Sequence, residues 1–133
     1  MQGYLLDTCV WSHIIRRTPE PVLLRFSQLK PAQIHLSPVV LGELTVGFYK
    51  GDRSATRRRV IDQIVAHTQA LVIDSDIAER YALIRATLEQ AGTPIGRNDT
   101  WIAAEALVHD LTLVTDNLRE FERVPGLKVE SWL

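Results

Sequence analysis

Short apolar runs without polar alternation punctuate the chain, and between them apolar residues recur at spacings of three and four. The runs fall at positions 4–6 (Tyr-Leu-Leu), 34–36 (Ile-His-Leu), 71–73 (Leu-Val-Ile), 111–115 (Leu-Thr-Leu-Val-Thr) and 127–129 (Leu-Lys-Val). Such runs read as strands buried on both faces, with the last an edge strand. The intervening periodicity predicts helices over 12–17, over 21–29 with Val22, Leu23, Phe26 and Leu29 inward, and over 38–50, where Ser37 caps, Pro38 begins and Gly51 ends the helix. Further helices are predicted over 53–67 with Val60, Ile61, Ile64 and Val65 inward, and from a cap among Asp74, Ser75 and Asp76 to Gly92 along Ile77, Tyr81, Ile84 and Leu88. The last run from an Asn98 cap to about 109 and over a short turn ending at Phe121. Strands alternating with helices imply an α/β fold: a parallel sheet covered by helices on both faces.

Four acidic residues do not fit a purely structural pattern. Asp7 closes the first apolar run and Asp116 follows the fourth, so both stand beyond the carboxyl ends of strands, where ligands bind in open parallel sheets. Glu43 has Val39 and Val40 before it and Val46 and Gly47 after it at helical spacing, which predicts an inward projection. Asp99 heads the stripe Ile102, Ala103, Ala106. Taken singly, Asp7 suits a turn cap and Asp99 a first-turn acid favoured by the helix dipole. Taken together, like charges at one sheet edge repel, and a cation must hold them. No lysine or arginine falls inside this set by pattern. A hard divalent ion with oxygen ligands is the economical partner: Mg2+, with Mn2+ as a substitute, rather than zinc. Such a site serves phosphodiester hydrolysis.

Composition narrows the setting. With 133 residues, 46% apolar and 23% charged, the chain suits one domain spanning 1–133. No apolar run approaches the roughly 20 residues that span a bilayer, and neither a signal peptide nor a membrane partner is expected; the reading is cytoplasmic. The single cysteine, Cys9, rules out an internal disulfide and a cysteine-based zinc site. A formal net charge of -1 supplies no global field for nucleic acid, so phosphate contacts must be local, with Arg97 and the run Arg57, Arg58, Arg59 as candidates. His13, His35, His67 and His109 show no metal or triad spacing, and each reads as an ordinary surface or half-buried residue. Trp11, Trp101 and Trp132 suit core or interface equally.

The blocks LLDT, SPVVLGELTVG, GTPIGRNDTWIAAEAL and LVTDNLREFERVPGLKVESW, which together span essentially the whole chain, resemble the PIN-domain family, and within it the VapC-type ribonuclease toxins of bacterial toxin-antitoxin pairs. The resemblance implies a three-layer α/β/α sandwich around a parallel sheet and a metal-dependent endoribonuclease site. It places Asp7, Glu43 and Asp99 on the three shared acidic positions, with Asp7 and Asp99 most directly tied to Mg2+. It also implies an RNA substrate, a cognate antitoxin whose inserted segment crosses the active-site groove, and a homodimer. Thr8, Asn98, Thr115, Asn117, Glu120 and Arg97 become the neighbours expected to support the acids or position RNA.

Two positions depart from the family pattern. Cys9 stands where many relatives have asparagine. The fourth acidic position is Asn117, so that Asp116 or Glu120 takes its part, or three carboxylates suffice. Two other readings keep the fold: a PIN-type nuclease outside any toxin-antitoxin pair, and a degraded site left as a partner-binding module. A haloacid-dehalogenase-type phosphatase needs an aspartate where Cys9 stands, and a cysteine phosphatase needs an arginine where Ile15 stands, which sets both aside.

Overall fold

The computed structural model describes all residues 1–133. Five strands, β1 (Tyr4–Leu6), β2 (Ile34–Leu36), β3 (Gln69–Ala70), β4 (Thr112–Val114) and β5 (Val129–Glu130), form one sheet in the order β3-β2-β1-β4-β5, every neighbouring pair parallel. Seven helices connect them: α1 (Thr8–Arg16), α2 (Glu20–Ser27), α3 (Pro38–Lys50), α4 (Ala55–Ala66), α5 (Ser75–Gln90), α6 (Arg97–Val108) and α7 (Leu118–Phe121). From β1 the chain winds outward through β2 and β3, then returns to β4 on the other side of β1. The order therefore reverses between β1 and β4, and the crevice beyond their carboxyl ends is the place such sheets offer to a ligand. The sheet with helices on both faces is the three-layer arrangement expected.

Burial explains why the short central strands hold. Leu5, Leu6, Leu113 and Val114 are fully buried at the centre of a single apolar cluster, which takes Val10 and Trp11 from α1, Val40 and Leu44 from α3, Ile77, Ile84 and Leu88 from α5, and Ile102, Ala103 and Ala106 from α6. Ser37 caps α3 by accepting from the N–H groups of Val39 and Val40 at 3.0 and 3.3 Å, Pro38 follows it, and Gly51 stops the helix. Asp74 caps α5 in the same manner, accepting from the Ile77 N–H.

Several boundaries differ from expectation. The edge strand β3 occupies residues 69–70, not 71–73: β2 ends at Leu36, which pairs with Ala70 and accepts from the Leu71 N–H, so Val72 and Ile73 have no strand beside them and Val72 is 75% exposed. Likewise β5 sits one to two residues later than expected, because Gly126, at φ +78, turns the chain first. α1 begins at Thr8 and not at 12, since the Asp7 side chain caps it and burial of Val10 and Trp11 rewards the extra turn. α4 starts at Ala55, capped by Ser54. α6 starts at Arg97 with Gly96 as its cap, which puts Asn98 inside the first turn. Trp11 and Trp132 are core residues, whereas half-buried Trp101 stacks on Tyr81 at 3.8 Å between ring centres.

One core position breaks the apolar rule. Glu105 in α6 is 0% exposed, and neither of its carboxyl oxygens has a hydrogen-bond partner. Burial pushes its pKa from 4.5 up to about 7, with the nearby Ser37 hydroxyl opposing the shift only in part. The folded chain thus keeps a proton that the unfolded chain releases, and stability falls as pH rises from about 4.5 to about 7, staying low above that. Replacing Glu105 by Gln removes the titration while keeping the shape. Thermal unfolding should show Glu105→Gln losing this decline and exceeding the native chain at pH 8 by on the order of 2–3 kcal/mol. Superimposable pH profiles for the two proteins would discharge Glu105 as the cause.

Candidate active site

Asp7 sits where β1 passes into α1, and the backbone fixes it from both sides. Its N–H donates to Val114 of the neighbouring β4 at 2.9 Å, and its carbonyl accepts from the Val10 and Trp11 N–H groups. The side chain, 8% exposed, accepts at Oδ1 from the Thr8 N–H at 2.8 Å and at Oδ2 from the Thr115 hydroxyl at 2.8 Å. The Cys9 thiol approaches Oδ2 at 3.8 Å. Thr115 is itself fully buried at the end of β4. The capping role anticipated for Asp7 is present: one oxygen caps α1, while the other is held by the adjoining strand end.

Asp99 ties four acids into one group, since Asp7, Glu43 and Glu120 all act on it. Asp99 occupies the third position of the first turn of α6, half-buried, and its inward stripe of Ile102, Ala103 and Ala106 is fully buried as expected. Glu43 corrects the expectation: it is exposed, because the buried line of α3 runs through Val40 and Leu44, leaving Val46 53% exposed and Glu43 on the flank. From that flank Glu43 Oε1 accepts a 2.7 Å hydrogen bond from the Thr8 hydroxyl, which turns it toward the crevice instead of the core. Glu120 in α7, next to the fully buried Phe121, is near enough to Asp99 to raise its pKa.

The electrostatics record this gathering. Burial is the main cause that pushes Asp99 up to about 6, and Asp7, Glu120 and Glu43 each push it further. Asp7 is also raised, chiefly by burial and in smaller part by Glu43, against the lowering effect of its Thr115 and Thr8 hydrogen bonds. Cys9, raised to about 11 by burial, is a neutral thiol. The chain's salt bridges join His13 to Asp116, Arg25 to Glu130, Arg58 to Asp62, Arg85 to Glu89 and Lys128 to Asp110. None reaches Asp7, Glu43, Asp99 or Glu120. The groups bonded to Asp7 and Glu43 are two hydroxyls, one backbone N–H and one thiol, which orient the carboxylates without cancelling their charge. No three His, Cys, Asp or Glu side chains are placed to close around a single ion. That suits Mg2+ or Mn2+, which bind through one or two carboxylates and leave the other positions to water and substrate phosphate.

Other expected members lie outside this group. Asp116 is exposed and turns to α1, where its Oδ2 meets His13 Nε2 at 2.6 Å. Glu120, and not Asp116, is the acid that faces Asp99. Asn117 donates its backbone N–H to the Thr115 hydroxyl at 3.0 Å, so it supports Asp7 through that residue. Asn98 and Arg97 are exposed at the start of α6, beside Asp99 in the chain. Arg58 is engaged with Asp62 and the Phe48 ring, away from the four acids. Sequence reasoning passed over His13. With α1 starting at residue 8, Cys9 and His13 are one turn apart on one face, the signal that a start at 12 conceals.

Residues 4–127 match the family model described as PIN domain. The tRNA(fMet)-specific endonuclease VapC of Salmonella typhimurium is 35% identical over 132 residues, covering 99% of each chain. Ribonuclease VapC2 of Haemophilus influenzae is 35% identical over 133 residues, the whole of both. Among solved structures, VapBC2 of Rickettsia felis bound to a promoter DNA fragment superimposes with a TM-score of 0.88 at 29% identity, over 99% of this chain and 100% of that one. DNA-bound VapBC of Salmonella typhimurium gives 0.88 at 34% identity over 100% of both.

In the metal-free chain the Asp99 proton competes with any cation up to about pH 6. Affinity for Mn2+ should therefore climb as pH rises through about 6, by at most about tenfold per unit, and level off above it. Paramagnetic resonance titration of free Mn2+ between pH 5 and 8 measures this. Asp99→Asn should bind more weakly with a shallower profile, and a flat profile for the native chain would contradict the proposed competition.

Proposed function

The chain belongs to the PIN domain family, in its VapC branch, and on that premise we propose that it is a metal-dependent endoribonuclease acting as the toxin of a bacterial toxin-antitoxin pair. The observation that carries the reading is the set Asp7, Glu43, Asp99 and Glu120, gathered at the β1–β4 crevice with no basic side chain bonded to any of them. Mg2+ is the proposed cofactor, with Asp7 and Asp99 as its holders. When bound, such an ion polarises a phosphoryl oxygen and makes water a better nucleophile.

The chain's own residues supply the rest. Thr115 holds Asp7 Oδ2 in place by donating to it, and the Thr8 hydroxyl steers Glu43, which aligns the attacking water. Glu120 fills the fourth acidic position through its contact with Asp99. Arg97, exposed two residues before Asp99, is placed to meet the RNA backbone, a contact that adds affinity without reading sequence. The names of the relatives make initiator tRNA the first substrate to assay. The proposed setting is the cytoplasm; no helix is long and apolar enough to cross a membrane.

The proposed protein partner is a cognate antitoxin, in keeping with structural neighbours that are VapBC complexes. An apolar groove of about 500 Å3, walled by Trp11, Ile14, Phe26, Val60 and Ile64 among others, offers its apolar segment a place to bury. A homodimer belongs to the same proposal, with exposed Val46 and Tyr49 of α3 as apolar surface for a second copy to cover.

Purified Asp7→Asn and Asp99→Asn should keep native circular dichroism and lose tRNA cleavage, and expression of either should no longer arrest growth. Glu120→Gln should lower cleavage by about 10- to 100-fold. Full Mg2+-dependent cleavage by the Asp7→Asn, Asp99→Asn double variant would refute the assignment.

A further inference from the structure

His13 and Asp116 are 103 positions apart, yet His13 Nε2 and Asp116 Oδ2 meet at 2.6 Å, with both side chains largely covered (19% and 27% exposed). The pair joins the outer turn of α1 to the turn between β4 and α7. That turn is one hydrogen-bonded unit with the acid cluster. The Asn117 N–H donates to the Thr115 hydroxyl, and that hydroxyl to Asp7 Oδ2. Thr115 thus donates to Asp7 while its oxygen accepts from Asn117. The segment that carries these contacts, residues 116–117, lies at the surface apart from the Asp116 side chain and leads into the four-residue helix α7.

Charge gives the pair a second effect. The Asp116 carboxylate is near enough to raise the Cys9 thiol, so released from His13 it would add a further negative group beside Asp7. His13 holds it one turn further along α1 than Cys9.

We propose that His13 is a positioning residue for the nuclease site, which clamps the 115–117 turn through Asp116 so that Thr115 stays on Asp7, and that Asp116 serves this clamp and is not a metal ligand. The inference rests on the nuclease reading for its activity measurements, and on the metal-free fold for one measurement of its own.

The test compares His13→Ala, His13→Gln, Asp116→Asn and Asp7→Asn, each verified by thermal unfolding. In metal-free His13→Ala, the Asp116 and Asn117 amides should exchange with solvent at least about tenfold faster. Its Mn2+ affinity and kcat should fall about 10- to 100-fold, as for residues that orient a metal ligand, with KM for RNA unchanged. His13→Gln, whose amide spans the same distance to Asp116, and Asp116→Asn, which still bonds to the imidazole, should each stay within about threefold of native. Loss of Mn2+ binding in Asp116→Asn as complete as in Asp7→Asn would make Asp116 a ligand and overturn the proposal. So would native amide exchange in His13→Ala, or a raised KM at native kcat, which marks direct RNA contact. Should Asp7→Asn still cleave RNA, the nuclease reading falls, while the exchange measurement judges the clamp independently.

Discussion

Four carboxylates converge on a crevice between β1 and β4, and the fold supplies no lysine or arginine to neutralise them. In the absence of a cation this arrangement opposes folding, because each acid raises the free energy of charging the next. Asp99 registers the cost most clearly, with burial and three neighbouring acids all acting in one direction. The surrounding structure absorbs it through neutral donors. Thr8 and Thr115 fix Glu43 and Asp7 by hydrogen bonds that hold geometry while leaving the net negative charge available to an ion. An arginine in either place would have stabilised the free chain more and left less negative charge for an ion. The apolar cluster of the sheet and helices offsets this local loss elsewhere, as functional sites generally require.

The parts of this arrangement that were legible in the sequence are those set by local pattern. Buried parallel strands announce themselves as unbroken apolar runs, so Asp7 at the end of β1 was visible, and Ser37-Pro38 with Gly51 marked α3 to the residue. Asp99 was legible because its whole inward stripe follows it at helical spacing. What sequence concealed depends on partners distant in the chain. β3 is shifted because a two-residue edge strand takes its limits from β2, which ends at Leu36, and not from its own apolar residues. The apolar pattern around Glu43 is split in the fold, with Val40 buried and Val46 exposed. The choice between Asp116 and Glu120 could not be made locally, since it hangs on a histidine 103 residues away and on how Phe121 seats α7.

Helix α6 carries two acids with raised pKa values, and the comparison shows what such a shift does and does not reveal. Asp99 and Glu105 are less than two turns apart, and burial is the largest cause for both. Glu105 has no acid among the groups that shift it, no exposure and no bonded partner, so its proton is simply the form a sealed core tolerates. Asp99 is half open to the crevice, and like charges from three other elements contribute to its shift. A cation or a phosphate can reach the second residue and not the first. Perturbed titration becomes a sign of chemistry only when the perturbing charges come from separate elements and the group remains accessible. By that standard the carboxyl edge of β1 and β4 is the acidic centre we propose for a ligand, and Glu105 is a structural cost borne by the same helix.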